Sequence, residues 1–311
     1  MSFPWRAGFA LTALAGCFAA GVLWAQGEST PLRQEGGEDL IIRAETRLVV
    51  LHTTVSDKDN LLITDLSEDS FRVFENDQPQ SLKLFRREDV PVSLGILVDN
   101  SGSMLDKRLR VNTAALDFVK ASNPEDEVFI VNFNDEAFLD TPFTSDLPRL
   151  QDGLQRIDSR GGTALYDAVG MSLDHLEDQA KQDKRVLLII SDGEDNASRA
   201  PLERLVRRLQ ETDTVIYAVG LLSEEDRRSA KRAQRALRAI VQATGGAAFF
   251  PDSVDEVHAI TQQVARDIRN QYILAYTPAE SAAPGFRRVR VELTGKAKRY
   301  KVRHRPGYYA Q

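Results

Sequence analysis

Cysteine is all but missing from this chain: Cys17 stands alone in 311 residues. One thiol excludes an internal disulfide framework and any zinc site built on cysteine. Histidine is scarce too. His52, His175, His258 and His304 are scattered without ligand spacing, so a histidine-dependent catalytic apparatus has no material here. Nor is charge of one sign in large excess. Forty Lys and Arg against 46 Asp and Glu leave a formal charge of −6, which speaks against a general nucleic-acid binder. No internal repeat is visible. What remains is an apolar and charged balance typical of a soluble globular protein, with enough chain for one large or two ordinary domains.

Long apolar runs are also wanting, with one exception at the N-terminus. Arg6 precedes an apolar run from Ala7 to Trp24, and Ala25 stands before the polar Gln26-Gly27-Glu28. A basic start, an apolar middle and a small residue at the exit are the anatomy of a secretory signal, here residues 1–25. Two other fates stay open. The run is long enough for an uncleaved anchor, and Leu14-Ala15-Gly16-Cys17 resembles the bacterial lipoprotein box, in which the cysteine is lipidated. All three place the folded part outside the cytoplasm, secreted or attached to the envelope, with the membrane touched only through that lipid or anchor. Residues 26–45 are polar, rich in Gly and Glu and aperiodic, which predicts a flexible tether.

The chain is organised around Val92–Ser103, read as VSLGILVDNSGS. A nearly continuous apolar run ended by an acid and a Gly/Ser turn predicts a buried strand of a parallel sheet that delivers polar groups at its carboxyl end. That edge is where open α/β sheets bind ligands. Asp99, Ser101 and Ser103 alternate, so one carboxylate and two hydroxyls can turn to a common point. Hard oxygens with little charge suit a small divalent cation that keeps part of its water. A plain Asn-Ser-Gly turn uses the same residue types. The second such edge is Ser191-Asp192-Gly193, after the apolar run Val186–Ile190. Thr163, behind Gly161-Gly162, opens a helix; taken singly it reads as an N-cap and Asp192 as a turn residue.

Strands alternating with amphipathic helices from residue 91 to 270 predict a doubly wound, mostly parallel, Rossmann-like sheet. Helices are expected over 108–122, 147–157, 164–176, 201–210, 225–243 and 254–270, with Asp106 capping the first. Strands are expected at 92–98, 128–133, 137–142, 186–190, 214–219 and 247–250. The flanks, 46–90 and 271–311, are β-rich. Short strands at 47–55, 61–64, 71–75 and 81–86 are too few to close a core, while Tyr272–Tyr276, Phe286–Leu293 and Tyr300–His304 supply matching material. The expectation is one small all-β, sandwich-like domain built from both flanks, with the α/β domain inserted between them.

Asp99-Asn100-Ser101-Gly102-Ser103, Thr163 and Asp192 resemble, in order and spacing, the metal-ion-dependent adhesion site of von Willebrand factor A domains, over about Val92 to Asn270. The β-rich lead VSDKDN…LSEDSFRVFENDQPQ, the Tyr272–Pro278 segment and Arg305-Pro306-Gly307-Tyr308-Tyr309 are similar to bacterial secreted proteins related to that family. The resemblance implies that Ser101, Ser103 and Thr163 ligate the ion directly, and Asp99 and Asp192 directly or through water. It implies Mg²⁺, with Mn²⁺ or Ca²⁺ as alternatives, and a vacant position for a Glu or Asp carboxylate of a partner protein. By the same analogy, helix 254–270 would be the lever that couples to ligand binding. The function so implied is a non-enzymatic adhesion or protein–protein interaction module.

Competing readings are a metal-dependent hydrolase or phosphatase and a purely structural envelope scaffold. Against the enzyme, phosphatases of this type need a second acid two residues on, where Ser101 stands, and no Lys or His lies in the motif loops. Glu194 and Asp195 read as solvated turn residues or a second cation position. The basic residues of 204–208 and 227–238 read as solvated faces paired with local acids, or as a polyanion surface. Asn196-Ala197-Ser198 fits a glycosylation acceptor of a eukaryotic secretory pathway.

Overall fold

The computed structural model describes residues 48–310, apart from 88, 122, 157–158, 223–225 and 279–283. The expected signal segment, Cys17 and the expected tether lie outside the described residues. No helix among those described is long and apolar enough to cross a membrane.

The centre is a six-stranded sheet in the order β10-β9-β8-β5-β6-β7. Its strands are β5 (Val92–Asp99), β6 (Glu127–Phe133), β7 (Ala137–Thr144), β8 (Lys184–Ser191), β9 (Val215–Gly220) and β10 (Ala248–Phe249). All pairs are parallel except β6 with the edge strand β7. Alternate residues of a strand point to opposite faces, so the apolar runs fill two cores. Leu94, Ile96 and Val98 face α1 (Arg108–Lys120), α2 (Leu147–Gln155) and α6 (Val257–Arg269). Leu97, Phe129 and Ile189 face α3 (Leu165–Gln179), α4 (Leu202–Leu209) and α5 (Arg227–Thr244). Gly95 is obligatory in this layer, because a Cβ there would enter the Phe129 ring and the Leu187 side chain.

The flanks interleave into two antiparallel sheets. One has the order β13-β1-β11-β4 and the other β14-β12-β2-β3. From the N-terminal flank come β1 (Val49–Ser56), β2 (Phe71–Glu75), β3 (Gln78–Gln80) and β4 (Leu82–Arg86). From the C-terminal flank come β11 (Tyr272–Tyr276), β12 (Gly285–Leu293), β13 (Lys301–Arg303) and β14 (Gly307–Ala310). Both sheets close on one core that includes Leu51, Phe71, Val73, Tyr272, Leu274 and Val291. The chain leaves this sandwich through β4 and returns through β11, and those two strands hydrogen-bond to each other. An α/β domain can therefore be spliced in with its two ends side by side.

Several boundaries differ from the expectation. Residues 61–64 form no strand, only the single bridge Leu62–Ser56, and Leu61 is exposed. The segment at 300–304 contracts to β13, and the Arg-Pro-Gly-Tyr-Tyr tail becomes β14, whose partner β12 is recruited from 20-odd residues upstream. The helix expected from 254 begins as a 3-10 turn, Val254–Glu256, with a Ser253/Glu256 capping box. Asp106 does not cap α1: the N-cap position is Lys107, and its side chain makes no cap bond.

Polar side chains tie the sandwich to the base of the α/β domain. Gln271 Nε2 donates to Tyr217 Oη (3.2 Å) and Thr54 Oγ1 (3.3 Å), and Arg303 of β13 pairs with Asp267 of α6. His52 of β1 is buried there, with no partner for Nδ1. Burial, then the nearby Lys184 and Arg305 cations, push its pKa down to about 3. A ring that stays neutral in the folded state and protonates in the unfolded one below pH 6.5 costs stability as pH falls, at roughly 1.4 kcal/mol per pH unit between those values. Urea titrations at pH 7, 6, 5 and 4 are expected to show a shallower loss of stability in His52→Gln than in the parent. Identical slopes would mean that the ring protonates in the folded state.

Candidate metal centre

The order of the central sheet creates a crevice. From β5 the chain first adds β6 on one side, then crosses over through α2 and α3 to add β8 on the other. Such a switch point opens a cleft outside the carboxyl ends of the two strands. Asp99 ends β5 and Asp192 directly follows β8, so both carboxylates are delivered to it.

The loop after β5 folds back on its own acid. Ser101 N–H donates to Asp99 Oδ1 (2.8 Å), and Ser191 Oγ donates to Asp99 Oδ2 (2.6 Å). Ser101 Oγ and Ser103 Oγ lie 3.2 Å apart, and Ser103 Oγ donates to Asp192 Oδ1 (2.7 Å). Asp99 is 1% exposed. Burial pushes its carboxyl up to about 6, against the hydrogen bonds from Ser191 and Ser101, and the Asp192 charge pushes the same way as burial. Thr163 is buried beside them and lines the same cleft of about 260 Å³ as Ser101, Ser103, Asp192 and Gly193. The structure thus brings together all of the residues singled out from sequence: Asp99, Ser101, Ser103, Thr163 and Asp192. Thr163 is not an N-cap, since Ala164 occupies that position.

Other side chains hold these in place. Asn100 is fully buried and donates to Asn132 Oδ1 (2.8 Å), while its N–H donates to Phe133 O (2.7 Å), locking the loop to β6. Thr163 N–H donates to Asn196 Oδ1 (2.9 Å), and Thr163 O accepts from the Asn196 N–H (3.0 Å). Gly162 N–H donates to Asp135 Oδ1 (2.7 Å). Asp195 is the true cap of α3, accepting from Tyr166 N–H (2.8 Å). Glu194 pairs with Arg232 of α5. Both acids thus have partners within the protein, as expected of turn residues engaged by their own loops. On the basic helix faces, Arg207 pairs with Glu211 and Arg208 with Asp174.

One residue enters the site that the sequence gave no reason to place there. Lys107 Nζ is ion-paired with Asp192 Oδ2 and donates to Leu221 O (3.4 Å). A lysine therefore does reach the motif loops, although as the partner of a buried acid.

Two carboxylates and three hydroxyls are a hard-oxygen donor set that fits a divalent cation with water completing its shell. Among the described residues there is no group of three or more His, Cys, Asp or Glu able to hold a metal ion, so any ion here depends on the hydroxyls.

Residues 94–194 match the family model of the von Willebrand factor type A domain. The matched segment runs from β5 to just past β8 and contains both edges of the cleft. Among solved structures, a von Willebrand factor type A protein from Catenulispora acidiphila is similar at 13% identity and TM-score 0.50, covering 74% of this chain and 52% of that one. The type A domain of a type V pili tip protein from Porphyromonas gingivalis has 12% identity and TM-score 0.49 over 58% of this chain and 95% of that one. A proximal thread matrix protein of the mussel byssus, with zinc at its adhesion-site motif, has 15% identity and TM-score 0.48 over 63% and 50%. These likenesses concern the fold. No curated protein matches the chain.

The loop bearing Thr163 requires glycine at position 161. Gly161 has φ +72°, and a Cβ there would collide with the Asp135 carboxylate. Gly161→Ala is expected to lower stability by roughly 1–3 kcal/mol, read from urea unfolding. Adding Asp135→Ala should relieve the collision but leave the backbone term. A fully rescued double variant would show that the positive φ carries no cost.

Proposed function

We propose that the protein is an extracytoplasmic binding module that holds an acidic group of a partner protein through a divalent cation. The observation that supports this most is the convergence of Asp99, Ser101, Ser103, Thr163 and Asp192 on the crevice between β5 and β8. Ionised carboxylates kept from water need a positive partner, and Asp99 is surrounded by neutral hydroxyls and a like charge.

In this reading Ser101, Ser103 and Thr163 offer hydroxyl oxygens to the ion, and Asp99 and Asp192 act directly or through water. Mg²⁺ suits a small set of this kind, with Mn²⁺ or Ca²⁺ as alternatives. The ion would supply one open position that accepts a Glu or Asp oxygen. The chain's own residues fix where that oxygen arrives, because both strand ends and the Thr163 loop are pinned by backbone bonds. The N-terminal segment supports delivery out of the cytoplasm, as a secreted, lipidated or anchored form. A site whose acids are spent on hydroxyls and on Lys107 favours binding over hydrolysis.

Calorimetric titration of Mg²⁺, Mn²⁺ and Ca²⁺ into the parent and into Asp99→Ala tests the reading. Saturable binding is expected in the parent and a loss of more than about 100-fold in the variant, since a buried ligand charge is removed. Heat of binding that is absent from the parent, with and without millimolar acetate, would rule the metal out. Turnover by the parent in a phosphatase and esterase panel would favour the enzyme instead.

A further inference from the structure

Lys107 stands four residues beyond the last serine of the motif, where the chain turns from a 3-10 segment (Gly102–Met104) into α1. The turn is fixed from within: Lys107 N–H donates to Met104 O (3.0 Å), and Met104 is fully buried. The side chain reaches Asp192, which is the better buried of the two, with 1% of its side chain exposed against 28% for Lys107. Asp192 is thereby shared. One oxygen accepts from Ser103 and the other from the Lys107 ammonium. Other charges at the rim are committed elsewhere: Glu194 to Arg232, and Asp226 to the backbone N–H groups of Arg228 and Ser229 at the start of α5.

We propose that Lys107 is a specificity-determining residue of the cleft: its ammonium competes with the divalent cation for Asp192 and leaves the loaded site with a positive excess that selects an acidic ligand. The inference rests on the reading that this cleft binds a divalent cation. Two carboxylates and one ammonium leave a single negative charge. A divalent cation reverses that to a single positive charge, whereas without the ammonium the loaded site would be neutral. The ammonium therefore acts in opposite directions on the two ligands. It weakens the cation by like-charge repulsion and by occupying Asp192, and it strengthens a carboxylate that arrives next. It also keeps a buried acid paired when no ion is present, so the loops stay in register before loading.

The test is calorimetry on the full chain for the parent, Lys107→Met and Lys107→Arg, with Mg²⁺ alone and then with acetate added to the Mg²⁺-loaded protein. Methionine keeps the length and apolar character of the stem and removes the charge, and circular dichroism confirms folding. Lys107→Met is expected to bind Mg²⁺ roughly tenfold more tightly and acetate several-fold more weakly, while Lys107→Arg stays near the parent for both. A thermal melt without added metal should show Lys107→Met less stable than the parent, and Mg²⁺ should raise its midpoint by more. Equal Mg²⁺ affinity in parent and Lys107→Met overturns the inference and leaves the metal reading standing. Both affinities moving the same way, or Lys107→Arg behaving like Lys107→Met, also overturns it, because that is the mark of a merely structural contact. Absence of Mg²⁺ binding from every variant removes the metal reading and this inference together.

Discussion

Two carboxylates withdrawn from water at one edge of a sheet are the constraint on which the rest of this molecule turns. An ionised acid as buried as Asp99 is costly unless donors surround it. Here the donors come from two stretches: the loop after β5, through the Ser101 backbone and, for Asp192, the Ser103 hydroxyl and the Lys107 ammonium, and the end of the neighbouring strand β8, through the Ser191 hydroxyl. The loops around the cleft are anchored in turn. Asn100 ties the first to β6, and Asn196 and Asp135 tie down the loop bearing Thr163. The polar residues around the cleft are scaffolding for the acids, much as the apolar layers are scaffolding for the strands.

The sandwich answers a different physical need. Strands of one flank alone would leave an apolar face in water, and interleaving β1 with β11 and β2 with β12 gives each flank its partner. The charged groups inside that domain are satisfied locally. Glu75 accepts from Tyr276 (2.7 Å), Tyr308 (2.8 Å) and Arg287 (3.1 Å), and its charge drives the Tyr276 and Tyr308 hydroxyls above their ordinary range after the effect of burial.

The two layers meet at the end of α6. Lys184, at the start of β8, donates to Ile268 O; Arg269 pairs with Asp89 and Asp126; and Arg303 reaches Asp267 from β13. Burial brings the Lys184 ammonium down to about 8, so it is held there by geometry at some cost. The last helix of the α/β domain is thus bolted at its base to both the sheet and the sandwich, while its flank packs along α1, the helix that follows Lys107. A continuous packed route joins the cleft to the sandwich through α1 and α6.

Much of this was legible in the sequence because it rests on local pattern. Unbroken apolar runs ending in Asp99 and Ser191-Asp192 can only be buried parallel strands with polar tips, and period 2 against period 3.6 separates the flanks from the centre. That logic named the fold class and pointed to Asp99, Ser101, Ser103, Thr163 and Asp192, which the fold gathers at one sheet edge. It could not place Lys107, Asn100 or Asn196, since their roles are set by partners 30 to more than 80 residues away in the chain, and a lysine in a turn looks the same whether solvated or paired. The pairing of β12 with β14, the failure of 61–64 to become a strand and the cap supplied by Asp195 instead of Thr163 have the same origin. Local periodicity determined which residues had to be buried and which delivered to an edge; only the tertiary structure decided which polar group would neutralise which, because that choice is made by distances across the fold.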